Sequence, residues 1–457
     1  MDTTKVSQAV LISTYEMGRQ PFGLASPAAW LRSAGWSVRC VDIAKERLDE
    51  RTIARADLIA VYLPMHTATR LAAPVIRKAR SLNSSARIAA YGLYAPLNAG
   101  WLRSLGVDAV FGGEFEAELT EWAAAAGPTH RGSEDPPDIR HTTVPRLRFL
   151  VPDRAGLPPL SRYATLQMPD GRRRLVGYTE ASRGCKHLCR HCPVVPIYEG
   201  QFRIVQPEVV LADVDAQVAA GAQHITFGDP DFFNGPTHAM KVVEALHARH
   251  PSVGYDVTIK VEHLLRHRAL VPGLVATGCL FVTSAVESID DRVLALLDKG
   301  HTRDDFVEAA ALCRDAGLTF VPTFVAFHPW LTLEGYCELL DTIAGLDLVD
   351  HVAPIQLAIR LLVPDGSKLL ALDEMRRHIG RFDPATLTHR WSHPDPRVDD
   401  LHRDVTAIVG ARVTADRRGV FDEISALAHD RAGLPRASSR PARDRATIPY
   451  LNEPWYC

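Results

Sequence analysis

Apolar and polar positions alternate in distinct rhythms along this chain, and the changes of rhythm divide it. Up to about residue 126, short apolar runs such as "AVLIST", "SVRCVDIA", "ADLIAVYLP", "ARIAAYGLY" and "GVDAVFGGE" are separated by amphipathic stretches such as "TRLAAPVIRKARSLN". A short apolar run between turn residues predicts a buried strand, and apolar positions three or four apart predict a helix. Their strict alternation predicts an α/β domain over residues 1–126, built on a doubly wound parallel sheet of about five strands. Residues 127–170 lose the period and gain proline and charge ("GPTHRGSEDPPDIRHTTVPRLRF"), which predicts a linker.

From residue 171 to about 395 the alternation returns in longer units. Strands are predicted at "LVGYTEAS", "HITFGD", "GYDVTIKVE", "CLFVTSAVES", "LTFVPTFVAF" and "HVAPIQLAIRLL", with helices between them. Six such units predict a partial (β/α)6 barrel of the TIM type, a fold that places its chemistry at the C-terminal ends of its strands. Residues 396–457 form an extension with two predicted helices, a segment "AGLPRASSRPARDRA" predicted to be disordered, and the ending "TIPYLNEPWYC".

Composition narrows the function. The chain has 457 residues, 46% of them hydrophobic, enough for two or three full cores. A formal net charge of −2 gives no case for a nucleic-acid partner or an anionic membrane surface. No stretch approaches the roughly 18 apolar residues of a membrane span, and "MDTTKVSQAVLIST" lacks the apolar centre of a signal peptide. A cytoplasmic location is expected. Eight cysteines in this length do not make a disulfide scaffold. Cys279, Cys313 and Cys337 fall in apolar runs or on helix core faces and are expected to be buried, inert thiols.

Three cysteines stand apart, in "TEASRGCKHLCRHCPVVP", where Cys185, Cys189 and Cys192 follow the first barrel strand. Thiolates hold iron–sulfur clusters, and three protein ligands leave one iron open. The alternative is a Cys₃His zinc site completed by His187 or His191, which would make the chain a zinc-stabilised, non-catalytic binding protein.

The Cys-x-x-x-Cys-x-x-Cys spacing, its flanks and the barrel behind it resemble the radical S-adenosylmethionine (SAM) superfamily. The resemblance implies a 4Fe–4S cluster on Cys185, Cys189 and Cys192, with the amino and carboxylate groups of SAM on the fourth iron. Reductive cleavage of SAM would then start radical chemistry on a small-molecule substrate, supplied with electrons by a donor such as flavodoxin or ferredoxin. His191 stands where an aromatic residue often packs near the adenine. Phe227-Gly228-Asp229 stands where the family has a Gly-Gly-Glu element, which makes Gly228 and Asp229 cofactor-binding candidates. "SAVESIDDRVLALLDKGHT" resembles a segment of cobalamin-linked members, placing Ser284 and Glu287 on the cofactor face and Lys299-Gly300 at a helix end. Lys260 and Glu262, read as alternate residues of a strand, are catalytic candidates, and Arg360 is a candidate partner for a carboxylate of cofactor or substrate.

The first domain resembles the cobalamin-binding domain of one branch of that superfamily, through "AAYGLYAPLN" and "GVDAVFGGEFEAEL". The branch's Asp-x-His-x-x-Gly is replaced by "STYEMGRQPFG". Cobalamin, as a further cofactor, would therefore be bound without a protein histidine or not at all, with His66 a weak substitute. A cobalamin-dependent methyltransferase is the alternative enzymatic reading. The ending "IPYLNEPWYC" resembles the CUAEP/CCAEP-tail radical SAM family, in which a second cysteine or selenocysteine would follow Cys457. Cys457 is thereby a catalytic candidate, the chain a selenoprotein candidate read short at a UGA codon, and a thiophilic-element substrate an option.

Overall fold

The computed structural model describes residues 6–125, 144–412, 416–436 and 450–451. Five short strands, most of whose residues are buried, make the first sheet: β1 (Gln8–Ser13), β2 (Ser37–Asp42), β3 (Leu58–Tyr62), β4 (Arg87–Tyr91) and β5 (Ala109–Phe111). All pair in parallel in the order β2-β1-β3-β4-β5. The expected doubly wound sheet is therefore present, with its order reversing between β1 and β3, where such sheets open a crevice at their carboxyl ends.

Helices Phe22–Ser33 and Phe115–Ala124 cover one face, around Leu11, Leu24, Tyr91 and Leu119. His66–Leu82 covers the other, around Ile12, Ile59, Ala72 and Ile76. Gly23 is required at the first crossing, because a Cβ there would lie 2.1 Å from the Tyr62 ring.

The stretch expected to be a linker lies partly outside the described residues, at 126–143. Its remainder is packed and adds β6 (Thr165–Gln167). Arg154 fixes it in place, with Nε and Nη2 forking onto both oxygens of buried Asp213 at 2.8 and 2.9 Å. The same guanidinium donates to Gln20 Oε1 at 2.8 Å and Tyr178 O at 2.6 Å, so one side chain joins both domains.

The second sheet is a curled half-barrel. Its parallel strands are β7 (Arg173–Thr179), β10 (His224–Phe227), β11 (Gly254–Thr258), β12 (Cys279–Glu287) and β13 (Thr319–Phe324). Between β7 and β10, the short strands β8 (Ser182–Gly184) and β9 (Phe202–Ile204) pair as the two legs of the cysteine loop. A second small hairpin, β14 (Ile379–Asp383) with β15 (Thr388–Trp391), lies after the barrel.

The sixth expected barrel strand, "HVAPIQLAIRLL", is 3₁₀ turns at Val349–His351 and Pro354–Leu357, and only Phe327 and Arg360 form a bridge. Pro354 has no N–H for a ladder, and side chains satisfy the β13 edge instead. Phe324 N donates to Gln356 Oε1 at 3.0 Å, and His351 Nδ1 lies 2.7 Å from Phe320 O. At the opposite edge β6 runs antiparallel to β7, and β16 (Tyr450–Leu451) adds antiparallel to β6, giving the order β13-β12-β11-β10-β7-β6-β16. The two predicted C-terminal helices are Pro396–Ala411 and Arg417–Ala432. Most of the segment expected to be disordered lies outside the described residues, at 437–449.

Breaking a buried, forked ion pair strands a charge, which costs about 3–5 kcal/mol. Arg154→Ala is expected to lower the unfolding free energy by about that much in urea titrations, and the Arg154→Ala/Asp213→Ala double variant by less than the sum of the singles.

Candidate active site

The cysteine loop is held from several sides. Gly184 ends β8 at φ +75°, and a Cβ there would meet the Tyr198 ring at 2.4 Å and Gln201 O at 2.5 Å. Arg190 ties the loop to the end of helix Asp291–Leu297, with Nη1 on Ala295 O at 3.0 Å and Leu296 O at 2.9 Å. Basic groups are favoured at such carbonyl ends. Lys186 N donates to Asn234 Oδ1 at 3.1 Å. Cys185 and Cys189 are buried, Cys192 is half-buried, and none is disulfide-bonded. Burial pushes the Cys192 thiol up to about 12. The Lys260 ammonium lies 3.6 Å from Cys189 Sγ.

Two flanking clusters orient this loop. On the side of the first domain, buried Arg183 donates to Glu114 Oε2 at 3.1 Å, to Glu116 Oε2 at 2.9 Å and Oε1 at 2.7 Å, and to Glu180 Oε2 at 2.7 Å. Glu114 and Glu116 are the two glutamates of "GGEFE". Burial pushes the Glu114 carboxyl up to about 7 against the pull of Arg183. On the barrel side, His263 Nδ1 lies 2.7 Å and His187 Nε2 3.5 Å from Asp231 Oδ2, with His187 Nδ1 3.4 Å from Glu262. Ligand atoms of Cys185, His187 and Asp231 lie within 4.8 Å of one another.

The expected site residues divide. Glu287 is turned into the site by a register shift at the end of β12, at φ +69°. It meets His191 Nε2 at 3.1 Å and Lys299 Nζ at 3.5 Å. Burial would raise its carboxyl, but Lys299 and His191 outweigh it and hold it at about 2. Lys260 and Glu262 do reach the cysteine loop, but not from a strand: β11 stops at Thr258, and Lys260 caps the helix Val261–Arg266 that contains Glu262.

Gly228 must be glycine, since a Cβ would sit 1.7 Å from Tyr178 Oη. Asp229 accepts from Ala181 N at 2.9 Å and Ser182 Oγ at 2.5 Å, so its two oxygens pin the segment leading into the cysteine loop. Ser284 is buried with Val282 and Val286, neighbours on its own face that pack among the helices, whereas Phe281 and Thr283 face the barrel lumen. Arg360 is already engaged by Asp399 at 2.8 Å, Trp391 O at 2.9 Å and the Trp391 ring at 3.6 Å. His66 Nε2 lies 2.6 Å from Thr386 O. Cys457 lies outside the described residues. Cys279, Cys313 and Cys337 are buried as expected. Asp231, His263, Arg183 and Arg19 escaped the sequence reading; Asp231 stands in plain view two residues after Asp229, and its meaning comes only from histidines brought to it by the fold.

Two cavities meet at the strand ends. One, of about 270 Å³, is the barrel lumen, lined by Thr226, Asp256, Thr283, Gln356, Arg417 and Tyr450. The other, of about 240 Å³, lies between the domains beside Ser182, Gly184 and Tyr198. Met17, Arg19, Gly228 and Pro230 line both.

Three thiols on one loop, with no fourth among the nearby described residues, suit a cluster that keeps one iron open. The space between the domains does not suit a corrin. Its volume is below the roughly 300–1,000 Å³ of drug-sized pockets, and Tyr62 fills the gap between Gly23 and Gly92.

Burial, outweighing the bonds from Ser182 and Ala181, pushes the Asp229 carboxyl up to about 7. A carboxyl raised on folding contributes stability below its unfolded value, near 4, that is lost as pH rises through the folded value. Wild-type stability should therefore fall relative to Asp229→Asn between about pH 4 and pH 7, measured as the difference between urea midpoints.

Among the described residues, no helix is long and apolar enough to cross a membrane. Residues 179–343 match the family model of the radical SAM superfamily. The tRNA-2-methylthio-N(6)-dimethylallyladenosine synthase of Desulfosudis oleivorans is 27% identical over 188 residues, 39% of this chain and 40% of that protein. The ribosomal protein uS12 methylthiotransferase RimO of Syntrophotalea carbinolica is 27% identical over 180 residues, 36% and 38% of the two chains. The chain thus spans about two fifths of the length of these relatives. Among solved structures, the cobalamin-dependent SAM radical enzyme OxsB with aqua-cobalamin superposes with TM-score 0.68 at 13% identity, covering 93% of this chain and 72% of that one. The radical SAM methyltransferase TsrM of Kitasatospora setae, with cobalamin and a 4Fe–4S cluster, superposes with TM-score 0.61 at 15% identity, covering 94% and 100%. At such identities the likeness concerns the fold. The family match implies a 4Fe–4S cluster and SAM, and the cysteine loop lies within its bounds: residues 179–343 carry a radical SAM superfamily domain.

Proposed function

We propose that this protein binds a 4Fe–4S cluster through Cys185, Cys189 and Cys192, cleaves SAM reductively, and directs the radical to a small molecule or thiophilic-element substrate held in the joined cavities. The observation that carries this reading is the position of the three thiols, gathered at the strand ends on a loop whose Arg183, Gly184 and Val194 line the cavity between the domains. When bound, the cluster supplies the electron that splits a carbon–sulfur bond of the sulfonium, and an external donor such as flavodoxin or ferredoxin restores it.

The chain's own residues hold and orient. Lys260 donates to Cys189 Sγ, and Glu262 with Asp231 steadies His187 beside Cys185. His191, fixed by Glu287, would help hold the adenine of SAM. Gly228 lets the chain pass Tyr178, and Asp229 positions the cysteine loop; this segment would help hold the amino group of SAM.

Cys457 enters this proposal as a tethered thiol. β16 runs parallel to β7, with Leu451 level through Leu166 with Arg174. β7 climbs about 16 Å from Arg174 to Thr179. Five residues lie between Leu451 and Cys457, all outside the described residues, and the six chain steps can span about 20 Å.

Methyl transfer through cobalamin is the second reading. It is favoured by the sheet order, whose crevice between β1 and β3 faces the barrel, and opposed by the small cavity and by Tyr62.

Single Cys185→Ala, Cys189→Ala and Cys192→Ala variants are expected to lose iron and sulfide while keeping the wild-type far-ultraviolet circular dichroism, since the motif is on a loop. The reduced, cluster-loaded wild type should form 5′-deoxyadenosine slowly without substrate, and the variants none. Full iron in any one variant would refute the ligand set. Methylthioadenosine in place of 5′-deoxyadenosine would mean that a different carbon–sulfur bond is cut, and zinc without sulfide would favour the binding-protein alternative.

A further inference from the structure

The loop from β1 to helix Phe22–Ser33 stands where a cobalamin ligand loop was expected, and its side chains turn toward the barrel instead. Met17 and Gly18 take φ of +48° and +70°, a left-handed pair that bends the chain over the barrel mouth. Left-handed backbone is costly for a residue with a Cβ, so Met17 is held there by its surroundings. Its neighbours Glu16 and Arg19 line the interdomain cavity, and Met17 and Arg19 also line the lumen.

Two polar groups at this cavity lack partners. Glu16 is 7% exposed, and its Oε2 is buried with no hydrogen bond. Arg19 Nε is likewise buried with no acceptor, and its guanidinium lies 4.9 Å over the Tyr178 ring. The other ionised groups on the wall are Glu180 and Arg183, and Arg183 is already occupied by Glu114, Glu116 and Glu180. Among the described residues, Arg19 is then the guanidinium on this wall left to face Glu16, and neither Glu16 Oε2 nor Arg19 Nε has a hydrogen-bond partner. Burial, and after it the nearby Glu180, push the Glu16 carboxyl well above the usual carboxylate range. A buried carboxylate oxygen without a donor is unfavourable until a cation or hydrogen-bond donor reaches it. The remaining walls are aromatic, from Phe22, Tyr62, Phe115 and Tyr178, and aromatic faces also attract cations.

We infer that this cavity recognises the amino-acid head of a small substrate, its ammonium between Glu16 and Glu180 and its carboxylate on Arg19. The rest of such a molecule would pass Met17, Gly228 and Pro230 into the lumen, beside the cysteine loop. The replacement of Asp-x-His by "TYEMGRQ" thereby exchanges a cofactor contact for a substrate contact. The inference rests on the proposed radical chemistry for the fate of the substrate, but not for its binding.

The test uses the cluster-loaded full chain and the twenty proteinogenic amino acids, each paired with its N-acetyl derivative, read by calorimetry and thermal shift. At least one amino acid should bind, with its N-acetyl derivative at least tenfold weaker, and Glu16→Gln should weaken it by a similar factor. The N-acetyl comparison is made on the wild type, so it stands whether or not the variant folds. Equal binding of the N-acetyl partner, unchanged affinity in folded Glu16→Gln, no binder in the panel, or stoichiometric cobalamin retained through purification would each overturn the inference. 5′-deoxyadenosine is measured in the same samples after reduction. Stimulation by the bound amino acid supports both readings; binding with no 5′-deoxyadenosine overturns the proposed function and leaves the ammonium site standing.

Discussion

One buried guanidinium holds this architecture together. Arg183 lies two residues before Cys185 and gathers Glu114 and Glu116 of the first domain with Glu180 of its own loop. Without that cation, two buried carboxylates and the half-buried Glu180 would face one another, and the contact between the domains would become repulsive. The position of the first thiol is therefore set by the α/β domain as much as by the barrel. The first domain thus helps shape the candidate site, whether or not it carries a ligand of its own.

The half-barrel has two edges, and each is closed by chain from outside the parallel core. Gln356 and His351 satisfy β13 with side chains in place of a ladder. β6 and β16 close the other side with backbone pairing. Arg417 stacks on the Tyr450 ring at 4.5 Å and donates to Asp350 O at 2.6 Å, so the C-terminal helices, the last strand and the β13 edge meet on one wall of the lumen. The residues that shape the reaction chamber thus come from the whole length of the chain, while the thiols come from eight consecutive positions.

That contrast explains what the sequence disclosed. Apolar period and turn residues set strands locally, so ten of the eleven expected parallel strands formed near their expected places, and the cysteine spacing is a local signal of the same kind. "HVAPIQLAIRLL" misled because a short apolar run does not distinguish a strand from packed turns, and Pro354 was the overlooked sign. Lys260 and Glu262 were placed on a strand because alternation continued past Thr258 into a helix start. Ser284 was put on the cofactor face although β12 alternates Phe281 and Thr283 inward. Arg183, whose partners are up to 69 residues away, and Asp231, whose meaning depends on His263, acquire their roles only through tertiary contact. Charge at one position carries no record of which distant charge will meet it.

Glu287 shows what such a contact demands of the backbone. At φ +69° the residue of least strain is glycine, and a glutamate there is retained against local preference by Lys299 and His191. Randomising this position would set two selections at odds: survival under heat would enrich glycine or asparagine, while survival on turnover would enrich the carboxylate. A laboratory lineage bred for robustness alone would be expected to lose its chemistry here first.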